Sequence, residues 1–341
     1  DRSVSRGLGD VYKRQLFIPH NGCPHKCTFC NQRNIVGQAY QPNADDVTNA
    51  VKIAVDSLKE NTKEAEIAFF GGSFTAIDRE YMLELLDATK PFINSFKGIR
   101  LSTRPDCIDN EIVSLLKSYK VTSIELGAQS MDDEVLKLNE RGHTADDVRN
   151  ACRIIKNYGI SLGLQMMTGL YGSDFYKDIY TADEFIKLRP DTVRIYPTVI
   201  MQDTELANLY NSKKFIPYTL EQSVELCSKL ILKFKSENIR IIRLGLHYSE
   251  SLENNSLGNN YHPAFKELCE NKIFFDKITK LIKNYPDKEV DFFEAYVNPH
   301  SVSKLAGQNK SNIFRLNNMG YKLKIKTDQS LDEYEIYIKQ R

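Results

Sequence analysis

The chain has 341 residues and a mass of 39.2 kDa, with 41% hydrophobic and 27% charged residues, a net charge of +1 and a mean hydropathy of −0.42. This length predicts one large α/β domain with a smaller attachment; no apolar run approaches the roughly 20 residues that cross a bilayer, and the polar first residues carry no secretory leader, so the cytoplasm is expected and a membrane partner is not. Seven cysteines, three of them within eight positions, exclude the paired framework of a small secreted domain and favour metal or redox chemistry.

Asp10-Val-Tyr-Lys-Arg-Gln15 back-translates to GATGTGTATAAGAGACAG, the mosaic end of a transposase sequencing adapter. Residues 1–15 therefore read as a disordered scar, with the native chain entered partway through at Leu16. From Leu16 to Leu246, β-rich runs at residues 16–19, 66–70, 98–102, 123–126, 161–166, 192–196 and 240–244 alternate with stretches of helical period. One such helix spans residues 44–59, where Val47, Val51, Ala54 and Leu58 recur on one stripe. Repeated βα units predict a parallel sheet closing into a partial TIM-type (β/α)6 barrel over residues 16–246, whose chemistry belongs on the loops after the strands. Residues 247–341 form a small carboxy-terminal α/β appendage, with a helix near 263–285 and a basic segment from Ser301.

The loop after the first strand reads Asn21-Gly-Cys23-Pro-His-Lys-Cys27-Thr-Phe-Cys30, a C-x3-C-x2-C spacing. Thiolates suit iron-sulfur clusters or zinc. Three ligands leave one position open, as catalytic metal sites do. Zinc completed by His20 or His25 is the rival. Further along, Gly71 and Gly72 follow a strand and let the backbone approach a ligand. Arg104 brings a fixed positive charge to a strand end, and Thr144 with Asp147 reads as a helix cap.

The cysteine loop with Phe29 before its last cysteine resembles the radical S-adenosylmethionine (SAM) superfamily. Five further motifs resemble the branch that contains the Elongator catalytic subunit: Gly71-Gly72-Ser73-Phe74-Thr75, Ser102-Thr-Arg104-Pro-Asp106, Glu125-Leu-Gly-Ala-Gln129-Ser130, Arg141-Gly-His143-Thr144 and Arg194-Ile-Tyr196-Pro197. The resemblance implies a 4Fe-4S cluster on Cys23, Cys27 and Cys30, reductive cleavage of S-adenosyl-L-methionine to a 5′-deoxyadenosyl radical, and an electron donor such as flavodoxin or ferredoxin. It implies cofactor contacts from Gly71, Gly72, Ser73, Ser102, Arg104, Gln129, Arg141 and Gln165, the two glutamines at positions that in relatives meet the ribose or adenine. Tyr196 and His143 are the candidate catalytic side chains. Ser102 departs from the acidic residue that opens its motif in the Elongator subunit. Residues 247–341 are too few for that subunit's acetyltransferase domain, which predicts a barrel without the acetyl donor site.

Residues 301–327 hold six basic side chains, Lys304, Lys310, Arg315, Lys322, Lys324 and Lys326, and no acidic one, as a phosphate-facing surface does. Gly307 to Lys310 resembles the G-x-x-G loop of a KH module, which would span residues 295–327 and clamp an RNA backbone with Gly307, Lys310, Arg315, Lys322 and Lys324. The expected activity is radical modification of RNA, tRNA foremost, with no DNA partner. The alternatives are radical chemistry on a small-molecule or cofactor precursor, as in oxygen-independent coproporphyrinogen oxidases, and a zinc-dependent nucleic-acid-binding protein without catalysis.

Overall fold

A computed structural model describes residues 15–18, 23, 26–31, 41–248, 250–287 and 289–341. Residues 1–14, together with His20 and His25, lie outside the described residues. Gln15 belongs to the first strand, so the expected break between residues 15 and 16 falls inside a structural element.

Seven strands form one parallel sheet in the order β1 (Gln15–Ile18), β2 (Glu66–Gly71), β3 (Gly98–Thr103), β4 (Val121–Gln129), β5 (Ser161–Thr168), β6 (Thr192–Pro197) and β8 (Arg240–Leu244). Each predicted strand is present, and β4 runs three residues further at its end than expected. The short β7 (Ile200–Met201) and β9 (Ser256–Leu257) pair antiparallel beside the sheet. The helices are α1 (Ala44–Leu58), α2 (Arg79–Asp87), α3 (Asn110–Ser118), α4 (Asp133–Leu138), α5 (Ala145–Asn157), α6 (Phe175–Leu188), α7 (Glu205–Asn211), α8 (Leu220–Ser236), α9 (Glu250–Asn255), α10 (Phe265–Lys283), α11 (Val302–Ala306) and α12 (Ser311–Asn318).

Strand neighbours follow chain order without a switch point, because each right-handed βα crossover advances the sheet in one direction. The two faces then differ in chemistry. Ile67 and Phe69, Ile99 and Leu101, Ile124 and Leu126, Leu162 and Leu164, and Val193 and Ile195 are buried against the helices, each contributing about 1.5–3 kcal/mol of burial. Val47, Val51, Ala54 and Leu58 of α1 meet them on the predicted stripe. Alternate residues on the same strands face the other way, among them Arg100, Ser102, Glu125, Gln165, Arg194 and Tyr196.

That second face is concave. The Arg194 guanidinium on β6 lies 5.0 Å from the ring centre of Phe70 on β2. Four strand steps at about 4.8 Å would separate these strands by roughly 19 Å in a flat sheet, so the sheet must curl into a partial barrel with a polar lumen.

Three capping boxes define helix starts: Asn43 with Asp46 on α1, Thr144 with Asp147 on α5, and Thr219 with Gln222 on α8. Each satisfies two backbone donors that a helix leaves open, at about 1 kcal/mol per cap.

Beyond β8, α10 packs on α8, and β10 (Phe292–Val297) lies between β11 (Lys322–Thr327), parallel to it, and β12 (Ile336–Gln340), antiparallel. Phe274, Phe293, Leu305 and Leu316 belong to the same apolar core as Val193 and Phe185. The carboxy-terminal segment is thus packed onto the barrel through a continuous core.

Candidate active site at the mouth of the barrel

In a parallel sheet every strand ends at the same rim. Gly71, Thr103, Gln129 and Thr168 close β2, β3, β4 and β5 there, and the cysteine loop follows β1 at that rim. Gly71 has φ +124°, a conformation that a side chain would disfavour. The Ser73 hydroxyl bonds the Thr103 hydroxyl at 2.7 Å and accepts from the Arg104 backbone N–H at 3.1 Å. Thr75 bonds the same Thr103 hydroxyl at 2.6 Å and donates to the Cys107 carbonyl at 2.7 Å. These contacts tie the ends of β2 and β3 into one shelf.

The cysteine loop docks beside that shelf through partners distant in sequence. The Thr28 hydroxyl donates to Asn139 Oδ1 at 2.9 Å, and the Thr28 carbonyl accepts from the Leu206 N–H at 2.8 Å. Asn139 is fully buried, and its Nδ2 donates to the carbonyls of Val135 at 2.8 Å and Tyr171 at 2.9 Å. Phe29 enters a small apolar cluster of Ile200, Leu206, Ala207 and Phe215. Asn31 Nδ2 donates to the Gln202 carbonyl at 3.1 Å. Nothing local in the sequence announces Asn139 as an anchor, since Thr28 stands 111 positions away.

Arg141 joins the loop to the sheet. Its Nη1 donates to Cys27 Sγ at 3.1 Å and its Nη2 to the Gly127 carbonyl at 2.6 Å, while the guanidinium stands 5.9 Å from the Phe29 ring centre. Its buried Nε has no partner among the described residues. Burial pushes the Cys23 thiol up, and a backbone hydrogen bond at Ser73 and the charges of Arg104 and Arg141 work against that rise. A fixed cation beside thiolates suits an anionic thiolate-ligated cluster. Among the described residues no three Cys, His, Asp or Glu side chains converge closely enough to hold a single metal ion. A cubane takes its thiolates at separate corners, so this wider spread is compatible with a cluster. The zinc alternative rests on His20 and His25, outside the described residues.

The remaining candidates divide. Gln129 ends β4 with φ +67°, a strained conformation for a side chain, and its buried Oε1 has no partner among the described residues; strain and an unmet acceptor coincide at the rim. Gln165 Nε2 donates to Glu125 Oε2 at 3.1 Å, deeper in the lumen. Ser102 lies on the same lumen face. Tyr196 is half-buried beside Arg194, and burial pushes its phenol up.

Two candidates meet partners that the sequence reading did not foresee. Arg104 already has its carboxylate: Nε and Nη2 donate to the two oxygens of Asp106 at 2.9 and 2.8 Å, and Nη2 also reaches the Arg141 carbonyl. Its charge therefore braces the shelf. His143 is buried, with Nε2 at 3.2 Å from the Ala128 carbonyl. A carbonyl only accepts, so Nε2 carries the proton and Nδ1, which has no partner among the described residues, is the bare nitrogen. Burial and then the Arg141 charge hold its pKa down at about 4, so it is neutral at pH 7.

Sequence reasoning also missed a buried charge network across the lumen. Glu125, 1% exposed, accepts from Arg100 Nη1 at 3.0 Å, from Arg194 Nη2 at 3.0 Å and from Arg194 Nε. Arg100 Nε in turn donates to Glu66 at 2.8 Å. Burial raises the Glu125 carboxyl, but Arg194 and Arg100 outweigh it and hold the pKa low. Gly163 makes room for this side chain, since a Cβ there would stand 2.7 Å from Glu125 Cγ.

A family model described as the radical SAM superfamily matches residues 17–185, and a second, described as the radical SAM carboxy-terminal domain, matches residues 190–274. The first spans β1 to α6, including the cysteine loop and its Arg141 clamp. The chain belongs to the radical SAM superfamily. Its relatives include a tRNA uridine(34) acetyltransferase of Dehalococcoides mccartyi, 26% identical over 64% of this chain and 55% of that protein. Another is the tRNA uridine(34) acetyltransferase of Methanocaldococcus infernus, 31% identical over 60% of this chain and 46% of that protein. Among solved structures, archaeal M. infernus Elp3 aligns with a TM-score of 0.50 and 25% identity, over 62% of this chain and 57% of that one. The chain thus spans about half the length of these curated relatives. This radical SAM protein is an enzyme of Elongator-like kinship, and no helix among its described residues is long and apolar enough to cross a membrane.

The carboxy-terminal candidates do not form one patch. Gly307 to Lys310 is the turn between α11 and α12, with positive φ at Gly307, Asn309 and Lys310. Gly307 is required there, because a Cβ would stand 2.6 Å from Ser311 Oγ and 2.8 Å from the Asn312 nitrogen. Lys310 holds the left-handed conformation at the position of the second glycine in a G-x-x-G loop. Arg315 lies 3.6 Å above the Phe275 ring centre, and Lys304 pairs with Glu270 at 3.2 Å and Glu333 at 2.5 Å. Lys322 and Lys324 stand on the opposite, open side of the sheet from Leu323 and Ile325, which pack on the core.

Proposed function

We propose that this chain holds a 4Fe-4S cluster on Cys23, Cys27 and Cys30, binds S-adenosyl-L-methionine at the rim, and uses the resulting radical chemistry to modify RNA, tRNA foremost. When held by Cys23, Cys27 and Cys30, such a cluster would supply the one-electron reduction that cleaves the cofactor at its sulfonium. The observation that carries the reading is Arg141, bridging Cys27 Sγ and the Gly127 carbonyl at the end of β4: it fixes the cysteine loop against the polar lumen.

The chain's own residues supply binding and orientation. Arg141 offers charge-assisted hydrogen bonds, each of about 1.5–3 kcal/mol. Gly71, Gly72 and Ser73 form a backbone-rich shelf for the cofactor's amino acid end. The unmet Gln129 Oε1 accepts a donor, and a ribose hydroxyl or adenine amine provides one. Tyr196, on the lumen face with Arg194, is the candidate side chain toward substrate, and His143, neutral with a bare Nδ1, offers a hydrogen-bond acceptor beside the end of β4. An electron donor such as flavodoxin or ferredoxin would reduce the cluster before each cleavage. The tRNA substrate is supported by kinship to two tRNA uridine(34) acetyltransferases.

The test is anaerobic reconstitution with iron and sulfide, then assay of 5′-deoxyadenosine with S-adenosyl-L-methionine and a reductant. The expected result is a brown protein whose product formation is abolished by Cys27→Ala and falls at least tenfold in Arg141→Met. A colourless protein that leaves S-adenosyl-L-methionine intact overturns the reading.

A further inference from the structure

The three-stranded carboxy-terminal sheet has one covered and one open face. Phe293, Ala295 and Val297 of β10 are buried in the core, with Leu323, Ile325, Ile336 and Ile338 of the flanking strands packed beside them. Register then dictates what the open face presents. Lys322, Phe292 and Arg341 form one row, since Phe292 pairs with Lys322 and its carbonyl accepts from the Arg341 N–H at 3.1 Å. Lys324, Glu294 and Lys339 form the second row, and Lys326, Tyr296 and Tyr337 the third.

Aromatic rings and cations interleave on this face. Tyr296 and Tyr337 stack with centroids 4.7 Å apart and planes 6° from parallel. Lys339 Nζ lies 5.1 Å from the Tyr296 centroid and 5.6 Å from that of Tyr337, and Arg341 lies 4.7 Å from that of Phe292. Against five cations the face carries Glu294, held by the Tyr296 hydroxyl at 2.9 Å and 4.0 Å from Lys324 and Arg341, and at its rim Asp328, which accepts from the Tyr337 hydroxyl at 3.1 Å. The whole chain is only +1, so this excess of positive charge is local. Phe292 and Tyr296 stand four residues apart on one strand, about 13 Å along it.

We propose that the open face of β10, β11 and β12 is a stacking platform for a single-stranded segment of RNA, its bases laid on Tyr337, Tyr296 and Phe292 and its phosphates met by Lys322, Lys324, Lys326 and Lys339. This deepens the RNA reading above and rests on it for the identity of the nucleic acid. Flat rings beside cations match unpaired bases strung on a charged backbone, whereas a duplex hides its base faces. The platform is separate from the α11–α12 turn, so the two surfaces are testable one at a time.

The experiment measures binding of the full chain to a fluorescent single-stranded oligoribonucleotide, to the same sequence as a duplex, and to heparin, a polyanion without bases. The expected result is preference for the single strand, with Tyr337→Ala and Tyr296→Ala each weakening it about tenfold, within the range for loss of one stacked base. Lys322→Glu with Lys339→Glu should flatten the salt dependence, and ultraviolet crosslinks should map to Tyr296 or Tyr337. Unchanged circular dichroism melts exclude misfolding, and for both alanine variants 5′-deoxyadenosine formation without RNA should equal that of the parent. Equal affinity for heparin and RNA, or tyrosine variants that bind as the parent does, overturns the platform. Loss of SAM cleavage with single-strand binding intact sinks the radical reading alone, and the reverse outcome sinks the platform alone.

Discussion

Replacing Glu125 by Gln tests the account of the lumen. Glu125 is the shared acceptor of two arginines, and the substitution keeps its shape while removing its charge. Arg100 retains Glu66 at 2.8 Å. Arg194 loses its carboxylate and remains buried beside the Phe70 ring and the Tyr196 hydroxyl. Removing one member of a buried pair costs about 3–5 kcal/mol; because glutamine still accepts one hydrogen bond, the lower end applies, about 3 kcal/mol. With a urea slope near 3 kcal/mol/M for a chain of this size, the midpoint should fall by about 1 M, and Tm by roughly 4 °C. Arg194→Met should cost less, since Glu125 keeps Arg100, and the double variant should recover a large part of the Glu125→Gln loss. A midpoint unchanged in Glu125→Gln, or a double variant whose loss equals the sum of the singles, would refute the claim that Arg194 depends on Glu125.

The cysteine loop offers a second test: Asn139→Ala leaves the Thr28 hydroxyl and the Tyr171 carbonyl without their partner and should cost about 2–4 kcal/mol. Trypsin should then cut after the exposed Lys26 several times faster than in the parent, and an unchanged rate would show that Asn139 does not hold the loop. His143 makes stability depend on pH: its folded pKa of about 4 lies below the 6.5 of the free side chain, so the unfolded chain binds the extra proton between those values. Stability should therefore fall as pH drops from 6.5 to 4, by about 3 kcal/mol in all, and level off below. Asp178, buried and raised to about 6, works in the opposite sense, its contribution falling as pH rises from 3.8 to 6. The readout is thus the difference between the parent and His143→Gln across urea titrations at several pH values, and parallel curves would contradict a buried neutral His143.

The sequence by itself carried whatever is written in short-range pattern. Strand and helix alternation predicted the parallel sheet, because hydrophobic period is local. The C-x3-C-x2-C spacing, the glycines after β2 and the Thr144–Asp147 box all act within a few residues, and each lies where the pattern put it. The α1 stripe is buried at all four predicted positions for the same reason.

Tertiary structure decided whatever depends on which distant residues meet. Arg104 looked available from its position at a strand end, yet Asp106 two residues on already answers its charge. Glu125 read as part of a motif, and only the pairing of β4 with β5 and of β5 with β6 brought Arg194, 69 positions away, onto its carboxylate. The basic run after Ser301 looked like one surface because charge is counted along the chain, whereas strand pairing turns Lys322, Lys324 and Lys326 to the open face and leaves Lys304 and Arg315 on other partners. Register between β10 and β12, which no local spacing encodes, set Tyr296 against Tyr337. Local pattern specifies elements, and the closing of long loops specifies neighbours.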